Sequence, residues 1–470
     1  MVGLVVALIA IATLAFGAVY PWAYLPLYAA VALLGIATLA RGGVRPELRP
    51  FGAALLLVWV AVVAQLAPMP RGLLDLVSPR ASALLNAFSV PFATGAVTAW
   101  PLSIDPRDTR VAALALAAFA LYLIGLSGRL GGERLRRLPT ALALFAVPLA
   151  LFGILSRESD TNHRLYWFWQ PEQGGADLFG PFVNRNHFAG WMLMTASVLM
   201  GGLLGHLERA LQERTRRPAR RIEWLSSQDA NALIRMGVAV AVTVIALFWT
   251  LSRSAMIGFA VAVMTFAWLT LRRRAFGETR RAPALAALGA IALAGVAWRG
   301  PVRLVEWFQF PSELSVVGRL DAWRDTWQIV RSFPLTGTGL NTYSDAMLFY
   351  QTSNRDYHLA QAHNDYLQLL AEGGLLVAIP AALALALLVR AVRRNLRAAE
   401  GATRGYWIRA GAAVGMLAMG VQELVEFSLQ MPANTLLFCT LAAVALAPVR
   451  SDVRRKVRGN IERSPSEGEA

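Results

Sequence analysis

Cysteine is almost absent: Cys439 is the only one in 470 residues, and it lies in an apolar run. That excludes a disulfide framework and a cysteine-based metal site. Lysine is equally scarce, Lys456 being the only one among 45 basic residues, so basicity is carried by 44 arginines. Charge of either sign is thin. Asp, Glu, Lys and Arg make up 16% of the chain, against about 25% in a soluble globular protein. The place of the missing charge is taken by apolar side chains, 56% of residues, with a mean hydropathy of +0.48. No soluble core absorbs so many apolar runs of about 20 residues, the length that crosses a bilayer as a helix.

Apolar runs predict an all-α, polytopic membrane domain over residues 1–448. Twelve spans are expected near 3–18, 22–40, 51–67, 111–127, 139–156, 187–205, 235–251, 254–271, 282–298, 364–389, 406–429 and 432–448. Leu4 to Phe16 is followed at once by a second apolar run and preceded by no positive residue, so it reads as a retained first helix rather than a secretory leader. The net charge of +16 would suggest nucleic acid in a soluble protein, yet 30 of the 45 basic residues fall in 41–50, 128–138, 206–235, 272–281, 390–404 and 449–470. These are alternate loops. The positive-inside rule puts them, and both termini, on the cytoplasmic side and removes any need for a nucleic-acid partner. The end, 449–470, is expected to be a basic, disordered tail near anionic lipid heads.

Three segments on the opposite, outer side are long: 68–110, 157–186 and 299–363. The polar chemistry gathers there. Gln361-Ala362-His363-Asn364-Asp365-Tyr366-Leu367-Gln368, continuing to Glu372-Gly373-Gly374, runs from the largest loop into an apolar span. On a helix Asn364, Gln368 and Glu372 share one face, and Glu372 lies about two turns inside, where a carboxylate is costly unless it faces protein or water. The stripe reads either as support for a base at His363 or as polar glue between helices.

Gly318-Arg319 with Trp323-Arg324 lies on an expected helix, Trp323 and Trp327 being four residues apart. Guanidinium presents a planar fork of donors suited to phosphate; the alternative is a surface helix whose arginines meet Asp321 and Asp325. Ser252-Arg253-Ser254 forms a very short turn between two spans, where Arg253 either holds a phosphate or reaches out to lipid headgroups. Asn184-Arg185-Asn186-His187-Phe188-Ala189-Gly190 opens the sixth span, a helix start suited either to anion binding or to ordinary asparagine capping. Pro334 to Gly339 follows no strand and is not a nucleotide loop. Glu423 and Glu426, three residues apart in the expected eleventh span, are compatible with a proton path, a structural pair or a cleft wall; Arg409 lies too far along that helix to be their partner. His163, His206 and His358 have no metal-ligand spacing.

Together, and in this order over about 184–376, these motifs resemble the superfamily of O-antigen ligases and Wzy-type polymerases of the bacterial envelope. The resemblance implies a GT-C-like helical fold with a large periplasmic loop before a late helix. It implies metal-independent, inverting glycan transfer from an undecaprenyl-pyrophosphate donor to a hydroxyl acceptor, whether lipid A–core, another glycan or a protein hydroxyl, with no cofactor. By motif, Arg253 and Arg319 would hold the pyrophosphate. His363 would be the base, or would orient the acceptor hydroxyl. Arg185, His187, Arg324, Asn364, Tyr366 and Glu372 would line the cleft. The chemistry suits the residues: sugar pyrophosphate carries its own leaving group, fixed arginines stabilise its developing charge, and imidazole is the side chain whose ordinary titration lies near neutrality.

Two other classes fit part of the pattern. A twelve-helix secondary transporter of an anionic solute would have related halves and a midplane site, whereas here the largest loop follows the ninth span and buried charge is sparse. A non-enzymatic scaffold would leave the outer arginines and His363 without a common purpose.

Overall fold

The computed structural model describes residues 1–159, 164–171, 177–216, 227–273, 278–299, 313–353 and 358–449. The basic tail from 450 onward and His163 lie outside the described residues. The helices, in chain order, are α1 (Val2–Leu14), α2 (Pro21–Ala40), α3 (Arg49–Ala64), α4 (Arg71–Val77), α5 (Pro79–Phe88), α6 (Val90–Ala93), α7 (Pro106–Ser127), α8 (Glu133–Glu158) and α9 (Arg185–Arg216). They continue as α10 (Gln228–Trp249), α11 (Arg253–Arg272), α12 (Glu278–Arg299), α13 (Glu313–Ser332), α14 (Tyr343–Tyr350), α15 (Asp365–Ala398), α16 (Thr403–Gln422) and α17 (Pro432–Ala445). A two-residue antiparallel pair, β1 (Met69–Pro70) with β2 (Ala99–Trp100), closes the segment that holds α4 to α6.

Each of the twelve expected spans overlaps a helix, but among the described residues only eight of these are long and apolar enough to cross a membrane by themselves. α1, the apolar part of α12 and α17 are shorter. α16 has the length, 20 residues, but carries Arg404 and Arg409 and is mostly buried by its neighbours. A helix surrounded by protein does not need the apolar surface of one that faces lipid.

α9 is the axis of the bundle: its apolar stretch is wholly buried. It packs against α16 through glycines, because a Cβ at Gly201 would strike the Trp407 carbonyl and Gly411, and one at Gly411 would strike Ser197 and Gly201. Small residues that let backbones touch are the usual device for joining helices where no hydrophobic driving force exists between them. At one end of the bundle, arginines and Asn395 cap the last turns: Arg45 donates to Leu446 O at 2.7 Å, Arg409 to Pro448 O at 2.8 Å and Asn395 to Ala445 O at 2.8 Å. Arg409 therefore caps carbonyls rather than meeting a glutamate. Glu208 and Arg273 pair nearby at 2.7 Å, fully buried, with Trp407 donating to the same carboxylate. The opposite end collects the long segments.

There, two of the sequence motifs lock together. α15 is broken at Gly374 (φ 54°, ψ −164°), and the Pro334–Gly339 segment docks into the break. Thr338 N donates to Ala371 O, Gly339 N to Glu372 O, Leu375 N to Pro334 O and Leu376 N to Leu335 O, all at 2.9–3.1 Å. Buried Gln65, at the end of α3, bridges both partners, donating to Thr336 O and Glu372 O at 2.8 Å and accepting from Leu340 N at 3.1 Å. A Cβ on Gly374 would meet Leu335 C and O at 2.6 Å, both backbone atoms that cannot swing away, and its φ/ψ pair is one that only glycine adopts without strain. Gly374→Ala is therefore expected to destabilise the protein by about 3 kcal/mol or more. A thermal melt in detergent checks this; an unchanged midpoint would contradict the docking described here.

Candidate functional site

The site forms where four separate segments meet above the N-terminus of α9. The first is that N-terminus itself. Asn184 caps it, its Oδ1 accepting from Asn186 N at 2.8 Å, so the ordinary capping role applies to Asn184. Arg185 is held by Asp177, with Nε to Oδ2 at 2.9 Å, and Asp177 also takes Arg157 at 2.9 Å. His187 is 2% exposed, and neither ring nitrogen has a hydrogen-bond partner.

The second segment is α13, which carries Arg319. The third is the turn into α11, where Arg253 is the first helical residue and the hydroxyls of Ser252 and Ser254 are 3.2 Å apart. Arg185, Arg253 and Arg319 lie close enough to act on one another electrostatically. Two of these guanidinium groups are paired with carboxylates, Arg185 with Asp177 and Arg319 with Glu426. An anion with several oxygens suits such a group of planar donors.

The fourth segment is 423–431. The expected eleventh span ran through it, but α16 ends at Gln422 and the chain turns there as a loop before Pro432 starts α17. Glu423 and Glu426 are thus not helical residues of a span. Gln422 bonds Asn186 O at 3.1 Å and Ser428 Oγ at 3.2 Å, and Asn434 bonds His187 O and Ser428 O, both at 3.0 Å. These side chains tie the loop to the first turn of α9. The loop delivers Glu426, 1% exposed, to the centre of the site: its Oε1 accepts from Arg319 Nη2 at 2.5 Å and from Asn186 Nδ2 at 2.8 Å. Arg319 itself remains 28% exposed, so it is both anchored and open to a ligand.

His363 faces this group. Its Nδ1 lies 3.9 Å from Glu426 Oε2, and its ring meets Phe427 edge-on at 4.9 Å, while His187 meets the same phenyl ring at 4.7 Å. The backbone at His363 is left-handed, φ 50°, which is uncommon for any side chain but glycine. Several bonds hold it there. Trp323 Nε1 donates to Ala362 O at 3.0 Å, Ala362 N donates to Gln368 Oε1 at 3.0 Å, and Asp365 N donates to Glu423 O at 3.1 Å. Strain kept in place by such a shell is characteristic of working residues.

The remaining expected cleft residues have other partners. Asn364 caps α15, accepting from Leu367 N at 3.0 Å. Tyr366 donates to Gly420 O at 2.8 Å. Glu372 accepts from Asn341 N, Tyr343 N and Gln368 Nε2 at 2.9–3.1 Å, so the polar stripe of α15 is chiefly glue, acting on His363 only through Gln368. Arg324 is exposed and pairs weakly with Asp321 at 3.5 Å, away from the three converging arginines. Asp325 is buried and holds Thr352 and Ser353 instead.

The turn of Arg253, the helix of Arg319 and the start of α15 at His363 are contributed by one continuous stretch of chain. Residues 238–382 match the O-antigen ligase family. The match takes in Arg253, Arg319, His363 and Glu372, under a third of the chain. None of the curated proteins matches the chain. Eight long apolar helices among the described residues, together with this match, make the chain a multi-pass membrane protein that is similar to O-antigen ligases over that segment. Arg185, Asn186 and His187 before the matched segment, and Glu426 and Phe427 after it, complete the site from outside the family's stretch.

Proposed function

We propose that the protein is a glycosyltransferase of envelope polysaccharide assembly. It moves a glycan from undecaprenyl pyrophosphate to a hydroxyl group of lipid A–core or of another glycan, at the outer face of the bacterial inner membrane with both termini in the cytoplasm. One observation carries the proposal: three arginines from separate helices converge beside a histidine whose backbone is strained into place, within and around the segment that matches O-antigen ligases. That match favours transfer over solute transport.

The reaction follows from the groups present. The acceptor hydroxyl gives its proton to the imidazole of His363 as its oxygen attacks the anomeric carbon. The bond from that carbon to the pyrophosphate oxygen breaks, and undecaprenyl pyrophosphate leaves with the electron pair. Attack from the side opposite the leaving group inverts the anomeric centre. Arg253 and Arg319, with Arg185 beside them, meet the charge that grows on the departing pyrophosphate; such fixed cations stabilise the transition state without reorganisation. The polyprenyl chain would lie along the apolar helix surfaces.

Guanidinium groups here fill the role a divalent cation would otherwise serve. Protein in proteoliposomes, given an undecaprenyl-pyrophosphate oligosaccharide and an acceptor, is therefore expected to transfer glycan without ATP and at an unchanged rate in EDTA. Linkage analysis of the product should show the anomeric configuration opposite to the donor's. Retention of configuration, or abolition by EDTA restored with a divalent cation, would overturn this mechanism.

A further inference from the structure

Resting on that reading, we infer that Glu426 is a positioning residue that fixes the tautomer of His363, forming a carboxylate–imidazole pair whose outward nitrogen takes the acceptor's proton. The two facing atoms, Glu426 Oε2 and His363 Nδ1, are both buried, both without a hydrogen-bond partner, and 3.9 Å apart. An N–H···O bond forms at about 2.9 Å, so a movement of about 1 Å closes it. Every other polar contact of Glu426 is on the opposite oxygen: Arg319 and Asn186 both donate to Oε1. Oε2 is left for the ring.

The consequence for the imidazole is specific. A carboxylate accepts only, so it holds the proton on Nδ1 and leaves the lone pair on Nε2. With Nδ1 buried, the part of the ring that accounts for the 33% exposure of the side chain lies toward Nε2. The accepting nitrogen is thus the one turned away from Glu426. When the ring takes up the proton of the hydroxyl, the carboxylate stabilises the imidazolium, as the third member of a Ser-His-Asp triad does. The other ionisable groups acting on Glu426 are Arg319 from α13, Arg185 and His187 from α9, Asp365 from α15 and Glu423 from its own loop.

Glutamine tests this because it reverses the pattern. Arg319 and Asn186 require an acceptor at the Oε1 position, so the amide oxygen of Glu426→Gln settles there and the NH2 group points at His363. A donor facing Nδ1 moves the ring proton to Nε2 and removes the base. The readout is the 15N spectrum of histidine-labelled protein in nanodiscs above the titration of imidazole, a spectrum with only five histidines to assign. The wild-type His363 should carry its proton on Nδ1 and Glu426→Gln on Nε2. In proteoliposomes the same variant should lose about 100-fold or more in kcat, with KM for the donor little changed and partial recovery in Glu426→Asp. A wild-type ring protonated on Nε2 would overturn the inference even if the Gln variant failed to fold. So would a Gln variant of wild-type rate alongside an inactive His363→Ala. An active His363→Ala would instead defeat the transferase reading, and the tautomer would still report on the pair.

Discussion

Arg319→Ala is expected to abolish glycan transfer, lowering kcat by about 10^3- to 10^5-fold, the range that a single guanidinium at a departing phosphate can command. It should also cost more stability than its neighbours' substitutions. Arg319 and Asn186 are the donors to Glu426 Oε1, and Glu426 is 1% exposed. Removing the guanidinium strands a carboxylate that water cannot reach, and breaking a buried pair from one side costs about 3–5 kcal/mol. Glu426→Gln keeps an amide oxygen for Arg319 and Asn186 at the Oε1 position, so the loss of stability is smaller. The asymmetry separates a site arginine from a merely structural one. Arg319→Ala/Glu426→Gln should regain most of the stability lost in Arg319→Ala and yet transfer far more slowly than Glu426→Gln alone. A double variant that transfers as fast as Glu426→Gln would show that Arg319 serves the fold alone. Thermal melts and turnover of the three variants in one detergent decide between these outcomes.

Much of this arrangement was legible in the residues, and the limits were physical. A helix stands at each of the twelve apolar runs, though only eight, among the described residues, are long and apolar enough to cross a membrane, and the docking of Pro334–Gly339 into the Gly373-Gly374 break explains why those two motifs stand in one chain. Arg319 stood out because the topology expected from the loops gave an arginine at that place no positive-inside reason to be there. Residues 423–431 were not. Leu424, Val425, Phe427 and Leu429 keep the local hydropathy high, and a window of about 20 residues averages their polar neighbours away. The signal was the spacing of Gln422, Glu423, Glu426, Ser428 and Gln430 before Pro432: too many polar groups for a lipid-facing helix, and a proline placed where a new helix starts. Asn364 and Glu372 were expected in the cleft from the motif they belong to and from the helix face they share. Spacing gives the face of a helix, but it does not say which neighbouring backbone will claim the side chain. The glutamate in the centre of the site was thus the residue hardest to see, since its partners, Asn186 and Arg319, are 240 and 107 residues away.

His363 offers the second large effect and the means to decide what it does. His363→Ala should lower kcat by about 10^2- to 10^4-fold, the usual contribution of a general base. Alanine alone does not distinguish lost chemistry from a disturbed backbone, because φ is 50° at this position and a left-handed conformation costs a non-glycine residue about 1–2 kcal/mol. His363→Gly separates the two. It removes the imidazole and also relieves the backbone, so it should unfold at a higher temperature than His363→Ala while remaining just as inactive. If activity instead returned in step with stability across Ala, Gly and Asn, the residue would be a backbone hinge rather than a reacting group. The kinetic constants then divide the remaining possibilities. A base acts in the transition state, so its loss lowers kcat and kcat/KM together; a group that only orients the acceptor raises the acceptor's KM and leaves kcat nearly intact. The geometry favours the first outcome. Nδ1 is turned inward to Glu426 and the exposed part of the ring lies toward Nε2, so the nitrogen that can reach a hydroxyl is the one left free to take its proton.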